Sequence, residues 1–339
     1  MQCGATITHS VALTADLVCA DVGLVVAGNG VVVDLGGHEL KAKTALLVKD
    51  VRRTVVRNGA ITGDNVGGVK LENTLRTTFS NATIAAGIAG TGARNTLLHK
   101  VTQGNWYTQT LFSEGSSVTV SESSVQGYSF RCYTSSPCRI DNSQTQISDY
   151  LNCDEDSSLT FRGGFLNSTW MGCTNLTIRG ARVYSYQVGA VNLTITDSTL
   201  DGFIVYATKL VVLRNRFDVD ITGMMIVRLD NGVIRGNTFS NMASAGLTVN
   251  LDTPLAGRVV VEHNTFTANG FRPSTWDKGG NVIDAGAHFY LPSGGDLVVR
   301  DNHSADNHAY GYWAQPGTVV DGGGNTSVNN PLGCLGIAC

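Results

Sequence analysis

Leu176-Thr-Ile-Arg-Gly-Ala-Arg-Val183 is followed about 17 residues later by Leu193-Thr-Ile-Thr-Asp-Ser-Thr-Leu200. Within each phrase an apolar-x-apolar start leads through a polar turn into a second short apolar stretch. Alternation with a period of two marks a short strand with one buried face. The same phrase recurs outward in both directions. Upstream stands Thr54-Val-Val-Arg-Asn-Gly-Ala-Ile61. Downstream stand Val211-Val-Leu-Arg-Asn-Arg-Phe217, Val233-Ile-Arg-Gly-Asn-Thr-Phe239, Val259-Val-Val-Glu-His-Asn-Thr-Phe266 and Val298-Val-Arg-Asp-Asn-His303. The spacing widens to about 22 residues or more where turns lengthen.

No helical stretch separates these strands, which rules out units of strand, helix and strand. Short strands at such a period stack best as a solenoid, each coil hydrogen-bonding to the next at about 4.8 Å. The expectation is an all-β chain of about twelve coils forming a single domain over residues 1–339. Residues 1–40 would be an N-terminal cap and first coil, 267–287 a long loop insertion, and 326–339 a disulfide-closed tail. Asn58, Asn81, Asn142, Asn215, Asn237, Asn264, Asn302 and Asn325 follow a strand at what reads as one phase. Asn tolerates the left-handed bend, and stacked copies can satisfy each other's amides, so an inward ladder is expected. Phe217, Phe239 and Phe266 should stack inside.

Composition agrees. Charged residues make up 15%, and there are 40 glycines against 6 prolines, a poor recipe for helices and a good one for short strands and turns. A net charge of −3 gives no reason to expect nucleic acid, which demands a basic surface. No apolar run approaches the roughly 18 residues of a membrane span. The eight cysteines fall into local pairs, Cys3 with Cys19, Cys132 with Cys138, Cys153 with Cys173 and Cys334 with Cys339. They suggest disulfides and an oxidising compartment, hence a secreted protein. Reduced, buried cysteines are the alternative. No C-x-x-C pattern suggests zinc. Met1 is followed almost at once by Cys3, so a leader peptide is expected to have been removed.

Cys3-Gly-Ala-Thr-Ile-Thr, Leu13-Thr-Ala-Asp-Leu-Val-Cys19 and Val33-Asp-Leu-Gly-Gly-His-Glu-Leu40 resemble the opening of bacterial right-handed parallel β-helix proteins. The coils resemble the repeats shared by pectate lyases, alginate epimerases and related carbohydrate-active proteins. The resemblance covers essentially the whole chain and implies the fold more strongly than any activity. Asp34 and His38 look like structural residues of the first coil. The compact catalytic motifs of alginate epimerases are not found here.

In the resembling families the third strand of each coil carries the substrate. Alternation along those strands sets an outward stripe of Arg131, Tyr133, Asn152, Asp154, Tyr206, Arg228, Asp230, Asn250, His288 and Tyr290. On the strand containing Arg228, Val227 and Leu229 are expected to point inward. Aromatic rings suit sugar faces, and Arg, Asn and Asp suit hydroxyls and carboxylates. The loop residues Trp276, Asp277 and Lys278 are expected to fold over the stripe near His288 and Tyr290. The candidate catalytic set is Arg228, Tyr206, Asp230, Asp154 and His288. The candidate substrate contacts are Arg131, Tyr133, Asn152, Asn250, Tyr290, Trp276 and Lys278.

The expected partner is a polysaccharide or oligosaccharide. On a uronate, Arg228 or Arg131 would neutralise the carboxylate, and Tyr206, His288 or Tyr290 would move the proton in lyase or epimerase chemistry. Hydrolysis of a neutral glycan would use paired carboxylates, Asp154 with Asp230. No cofactor is expected, with calcium at Asp154-Glu-Asp156 the one alternative. Two other readings stand beside the enzyme: a non-catalytic glycan-binding or adhesin-like module, and a small-molecule isomerase or cyclase with an aromatic pocket beneath the loop.

Overall fold

The computed structural model describes residues 1–133, 137–153, 157–218, 223–273, 276–292 and 295–339, with Phe203 described by its backbone alone. The described residues form strands and turns and no helix. Strands pair in parallel from coil to coil, winding as a right-handed β-helix of about 15 turns. Twelve were expected, and the ends account for part of the difference. Ala5–Ile7, Val11–Ala12 and Leu17–Val18 form one rung, and Val22–Val26, Val32–Asp34 and Glu39–Lys41 form a second. Val320–Gly323, Thr326–Val328 and Cys334–Leu335 pair as a last rung. The chain divides into two compact units, Met1–Asn175 and Leu176–Cys339.

One coil of the first unit shows how the sequence winds. Val55–Thr62 bends at Asn58, whose backbone is left-handed with φ 58°. Val56 points inward before the bend and Ile61 after it, while Val55 and Arg57 face outward. A turn then leads to Val69–Glu72, where Val69 and Leu71 are buried. Repeating this from coil to coil stacks like on like. Val33, Val56, Phe79, Leu98, Val120, Ile140 and Phe161 are register partners in sequence along one interior column, all fully buried. Each such side chain contributes about 1.5–3 kcal/mol by leaving water, so the column carries much of the unit's stability.

The second unit repeats the scheme. Ile195, Val212, Ile234, Val261 and Val299 form one interior column. Phe217 and Phe239 stack at 4.4 Å, and Phe239 and Phe266 at 5.1 Å, each pair within 14° of parallel. Tyr312 meets Phe266 edge-on at 6.1 Å.

The asparagines split into two phases one residue apart, which corrects the single ladder expected. Asn58, Asn81 and Asn142 take the left-handed corner itself and are exposed. Asn215, Asn237, Asn264, Asn302 and Asn325 come one residue later, are buried, and form the ladder. Each accepts the backbone N–H of the preceding rung and donates its amide to a carbonyl inside, as Asn264 does to Ile234. In the first unit serine holds that inward position. Ser123 accepts from the Val101 N–H, and Ser143 from the Ser123 N–H. A second asparagine ladder, Asn269, Asn307 and Asn330, lines another corner of the second unit.

All four expected cysteine pairs are disulfides, and no described cysteine is free. Asp34 pairs with Arg57 and Asn58 of the next coil, and His38 with Asp16 of the coil before. Both are coil-to-coil ties, as the resemblance implied.

Candidate functional site

In the first unit the outward third-strand face gathers around Arg131. Its register partners are Leu111 on one side and Asn152 on the other, and Tyr133 lies opposite Ser113. Arg131, Tyr133 and Asn152 are each half-buried on this face. The Nε of Arg131 is buried and has no hydrogen-bond partner among the described residues. Asp154, with the rest of the expected calcium cluster at 154–156, lies outside the described residues, and so does the carboxylate pair it was to form with Asp230.

Three aromatic residues not singled out in the sequence join this face. Tyr150 is opposite Trp170, ring centroids 5.8 Å apart and nearly perpendicular. Trp170 lays its indole across Gly172, where any Cβ would come within 2.1 Å of the ring. The register shifts between Gly127 and Ser129, at a bulge that leaves Tyr128 exposed. The neighbouring Asp149 carboxylate raises the Tyr128 hydroxyl above its ordinary pKa. Alternation alone would have found Tyr150 and Trp170, because their strand neighbours Leu151 and Met171 are fully buried.

In the second unit Tyr206 lies directly opposite Arg228. The pairing crosses a register shift that sets Val205 against Ile226 and then Tyr206 against Arg228. Ile226 is fully buried and Val227 partly exposed. The expected inward Val227 is therefore corrected: a bulge admits one extra residue and resets the alternation. Arg228 is exposed after the bulge, Leu229 is buried and Asp230 half-buried. The Arg228 guanidinium has no ion-pair or hydrogen-bond partner among the described residues. Arg214, Arg216, Arg235, Arg258 and Arg300 of the same unit all have carboxylate partners.

Further along, the long loop lies directly on the sheet. Thr248 pairs with His288, Asn250 with Tyr290, and His288 with Trp313. His288 stacks flat on Trp313 at 4.1 Å and donates from Nε2 to Oδ2 of Asp277 at 3.0 Å. Asp277 also accepts the N–H groups of Gly279 and Asn281, closing a tight turn. The Lys278 N–H donates to Asn250, and the Lys278 ammonium pairs with Asp252. Trp276 bridges to Val282 and stays 63% exposed. Tyr290 is half-buried, its ring against Gly279.

This placement corrects two expectations. His288 and Asn250 point outward from their strands as alternation required, but the loop covers them. His288 is fully buried and Asn250 nearly so. Burial lowers the His288 pKa against the pull of Asp277, keeping the ring neutral. Burial opposes ionisation of Asp277 as well, but hydrogen bonds from Asn281 and His288 outweigh it and hold the carboxyl below the usual range. A buried neutral histidine bonded to a buried carboxylate fastens the loop. It does not meet a chain lying on the surface.

The two faces can therefore hold sugar rings on aromatic side chains and carboxylates on the guanidinium groups of Arg131 and Arg228. Among the described residues no group of three or more His, Cys, Asp or Glu is arranged to hold a metal. The described residues form no helix long and apolar enough to cross a membrane.

Residues 167–291 match the family described as a right handed beta helix region. The comparisons with curated proteins and with solved structures found no match. A β-helix fixes how side chains are presented, and the chemistry rests on which side chains those are.

Proposed function

We propose that the protein is a secreted, carbohydrate-active β-helix that takes a uronate-type glycan on an outward third-strand face and acts as a polysaccharide lyase or epimerase. The observation that carries this reading is the exposed Arg228, without a carboxylate partner among the described residues, set opposite Tyr206 at a bulge. Arg228 neutralises the sugar carboxylate and so acidifies the adjacent C–H. Tyr206 and Asp230 are the proton carriers. In elimination the proton leaves that carbon, the glycosidic C–O bond breaks, the departing oxygen is protonated and a C=C bond remains. In epimerisation the proton returns on the opposite face and no bond of the chain breaks. His288 is left out as a reacting group. Secretion is supported by the four disulfides.

The test is incubation with a panel of uronate polymers. New absorbance from unsaturated sugars reads elimination, and exchange of the C–H in heavy water without cleavage reads epimerisation. Neither signal from any polymer would sink the enzymatic reading. A second reading, binding without turnover, is favoured by one observation: Tyr128, Tyr150 and Trp170 present aromatic surface beside Arg131 in the first unit. Saturable glycan binding lost in W170A, with no turnover, would establish it in place of the first.

A further inference from the structure

The first unit carries a second charged feature, away from the third strands, at the corner that leads into the first strand of each coil. Arg52 is a bridge partner of Leu75, and Leu75 of Arg94, on successive rungs. Arg53 and Arg76 stand one residue beyond, both with left-handed backbones at φ 59° and 60°. Stacking thus brings together four arginines that are far apart in the sequence. All four are exposed, and none of their guanidinium groups has a hydrogen-bond or ion-pair partner among the described residues. The acidic groups closest along the chain are engaged elsewhere: Asp50 accepts from Asn73, and Glu72 pairs with Lys49.

The corner is also concave. Asn29, Gly30, Arg52, Arg53, Leu75 and Arg76 line a surface pocket of about 540 Å³. Leu75, half-buried, forms an apolar floor between the arginines. A second pocket of about 630 Å³ starts at Asn95 and Ser117 and runs over the outward face of the first strands, past Thr119, to Arg139 and Arg162. Arg139 is tied to Asp141, whereas Arg162 has no partner among the described residues. In a chain of net charge −3, such a cluster is a local field of the opposite sign.

We propose that this arginine corner binds a linear anionic polysaccharide laid across the coils, its carboxylates held by Arg52, Arg53, Arg76 and Arg94. The rungs repeat at about 4.8 Å, close to the length of one pyranose residue, so arginines on successive rungs meet successive sugars. Guanidinium forks match carboxylates two bonds at a time, and the Leu75 floor suits the apolar face of a ring. The nature of the chain rests on the uronate reading above; its location rests on the arginine corner alone.

The experiment measures polygalacturonate binding to the full chain by calorimetry at low and moderate salt. The R52Q/R76Q/R94Q variant is compared with wild type, and R214Q, which removes an arginine already paired with Asp197, is the control. The expected result is a loss of about tenfold or more in affinity and a shallower salt dependence for the triple variant, with R214Q within about twofold of wild type. Unchanged affinity in the triple variant overturns the proposal. So does single-stranded DNA bound equally tightly through the same arginines, since charge density alone would then be recognised. The two readings fail separately. Intact binding in the triple variant with turnover lost in R228A sinks the corner alone. Intact turnover in R228A with binding lost in the triple variant sinks the reaction site alone.

Discussion

Oδ2 of Asp277 lies 3.0 Å from Nε2 of His288, and neither side chain is exposed. The first belongs to the long loop and the second to the strand beneath it, so one hydrogen bond joins an insertion to the sheet it covers. Asp277 also organises its own turn through Gly279 and Asn281. Loop shape and loop position therefore depend on the same carboxylate.

Removing that carboxylate charge should free the loop. In D277N the amide cannot match the bonds accepted from Gly279, Asn281 and His288, and a buried imidazole loses its partner. Leaving buried groups unsatisfied costs about 1–3 kcal/mol each. The expected outcome is faster tryptic cleavage after Lys278, with the far-ultraviolet spectrum of the strands unchanged. Cleavage at the wild-type rate would mean the loop is held by something else.

The same pair makes the fold acid-sensitive. Because the folded His288 pKa lies below its ordinary 6.5, only the unfolded chain takes up this proton as the pH falls through 6.5. Stability therefore drops from about pH 6.5 down to the folded value. Asp277, held below 3.8, stabilises the fold above that pH and loses its contribution as the pH falls through its folded value. Thermal midpoints recorded from pH 8 to about 2 should decline first below about 6.5, and H288Q should remove that first decline while leaving the later one.

The buried ladder predicts a graded cost. Asn264 accepts both the backbone N–H and the amide of Asn237. N264A strands the buried Asn237 N–H and removes the amide's bonds to Asn237, Asn302 and Ile234, and should cost about 2–4 kcal/mol. N264S should cost less, because serine fills this position in the first unit at Ser123 and Ser143. Denaturant midpoints would order the variants, and equal losses for Ala and Ser would contradict a hydrogen-bonding role.

Legibility followed range. Alternation within a strand is a local signal, so the inward side of Leu229 and the inner stack of Phe217, Phe239 and Phe266 are legible in the sequence, and the solenoid with them. Asparagine misled by one residue because two roles select it. Asn142 takes the left-handed corner and Asn215 the inward position, and both follow a strand. The bulge before Arg228 hid the true phase of Val227, yet it restored the outward position of Arg228 itself. For His288 the direction could be read and the burial could not, since its cover comes from a loop whose landing place no local pattern records. The arginine corner went unread because its members sit in turns and meet only when coils stack.

Gly172 offers a probe of the aromatic face. A methyl group there would overlap the Trp170 ring, which lies within 2.1 Å of the Cβ position. G172A should therefore lift the indole off the sheet without adding bulk elsewhere. Trp170 is expected to gain exposure, read as a red shift and stronger quenching of its fluorescence in a background lacking the other tryptophans. Glycan binding by the first unit should weaken by about threefold to tenfold, in keeping with the roughly 0.5–1.5 kcal/mol of a lost ring contact. An unchanged indole environment would show that the strand gives way in place of the ring.

Tyr206 and Arg228 should separate binding from chemistry. If Arg228 neutralises the carboxylate as negative charge spreads from the reacting carbon, its contribution grows in the transition state. R228A should then lower kcat by about a hundredfold or more, and R228K should recover only part of this, because lysine cannot match the fork. Y206F removes a proton carrier while keeping the ring, so kcat should fall with KM nearly unchanged. W170A in the other unit should leave kcat alone. A uniform rise in KM across all four variants would assign the Tyr206–Arg228 pair to holding the chain and leave the proton transfer to other side chains.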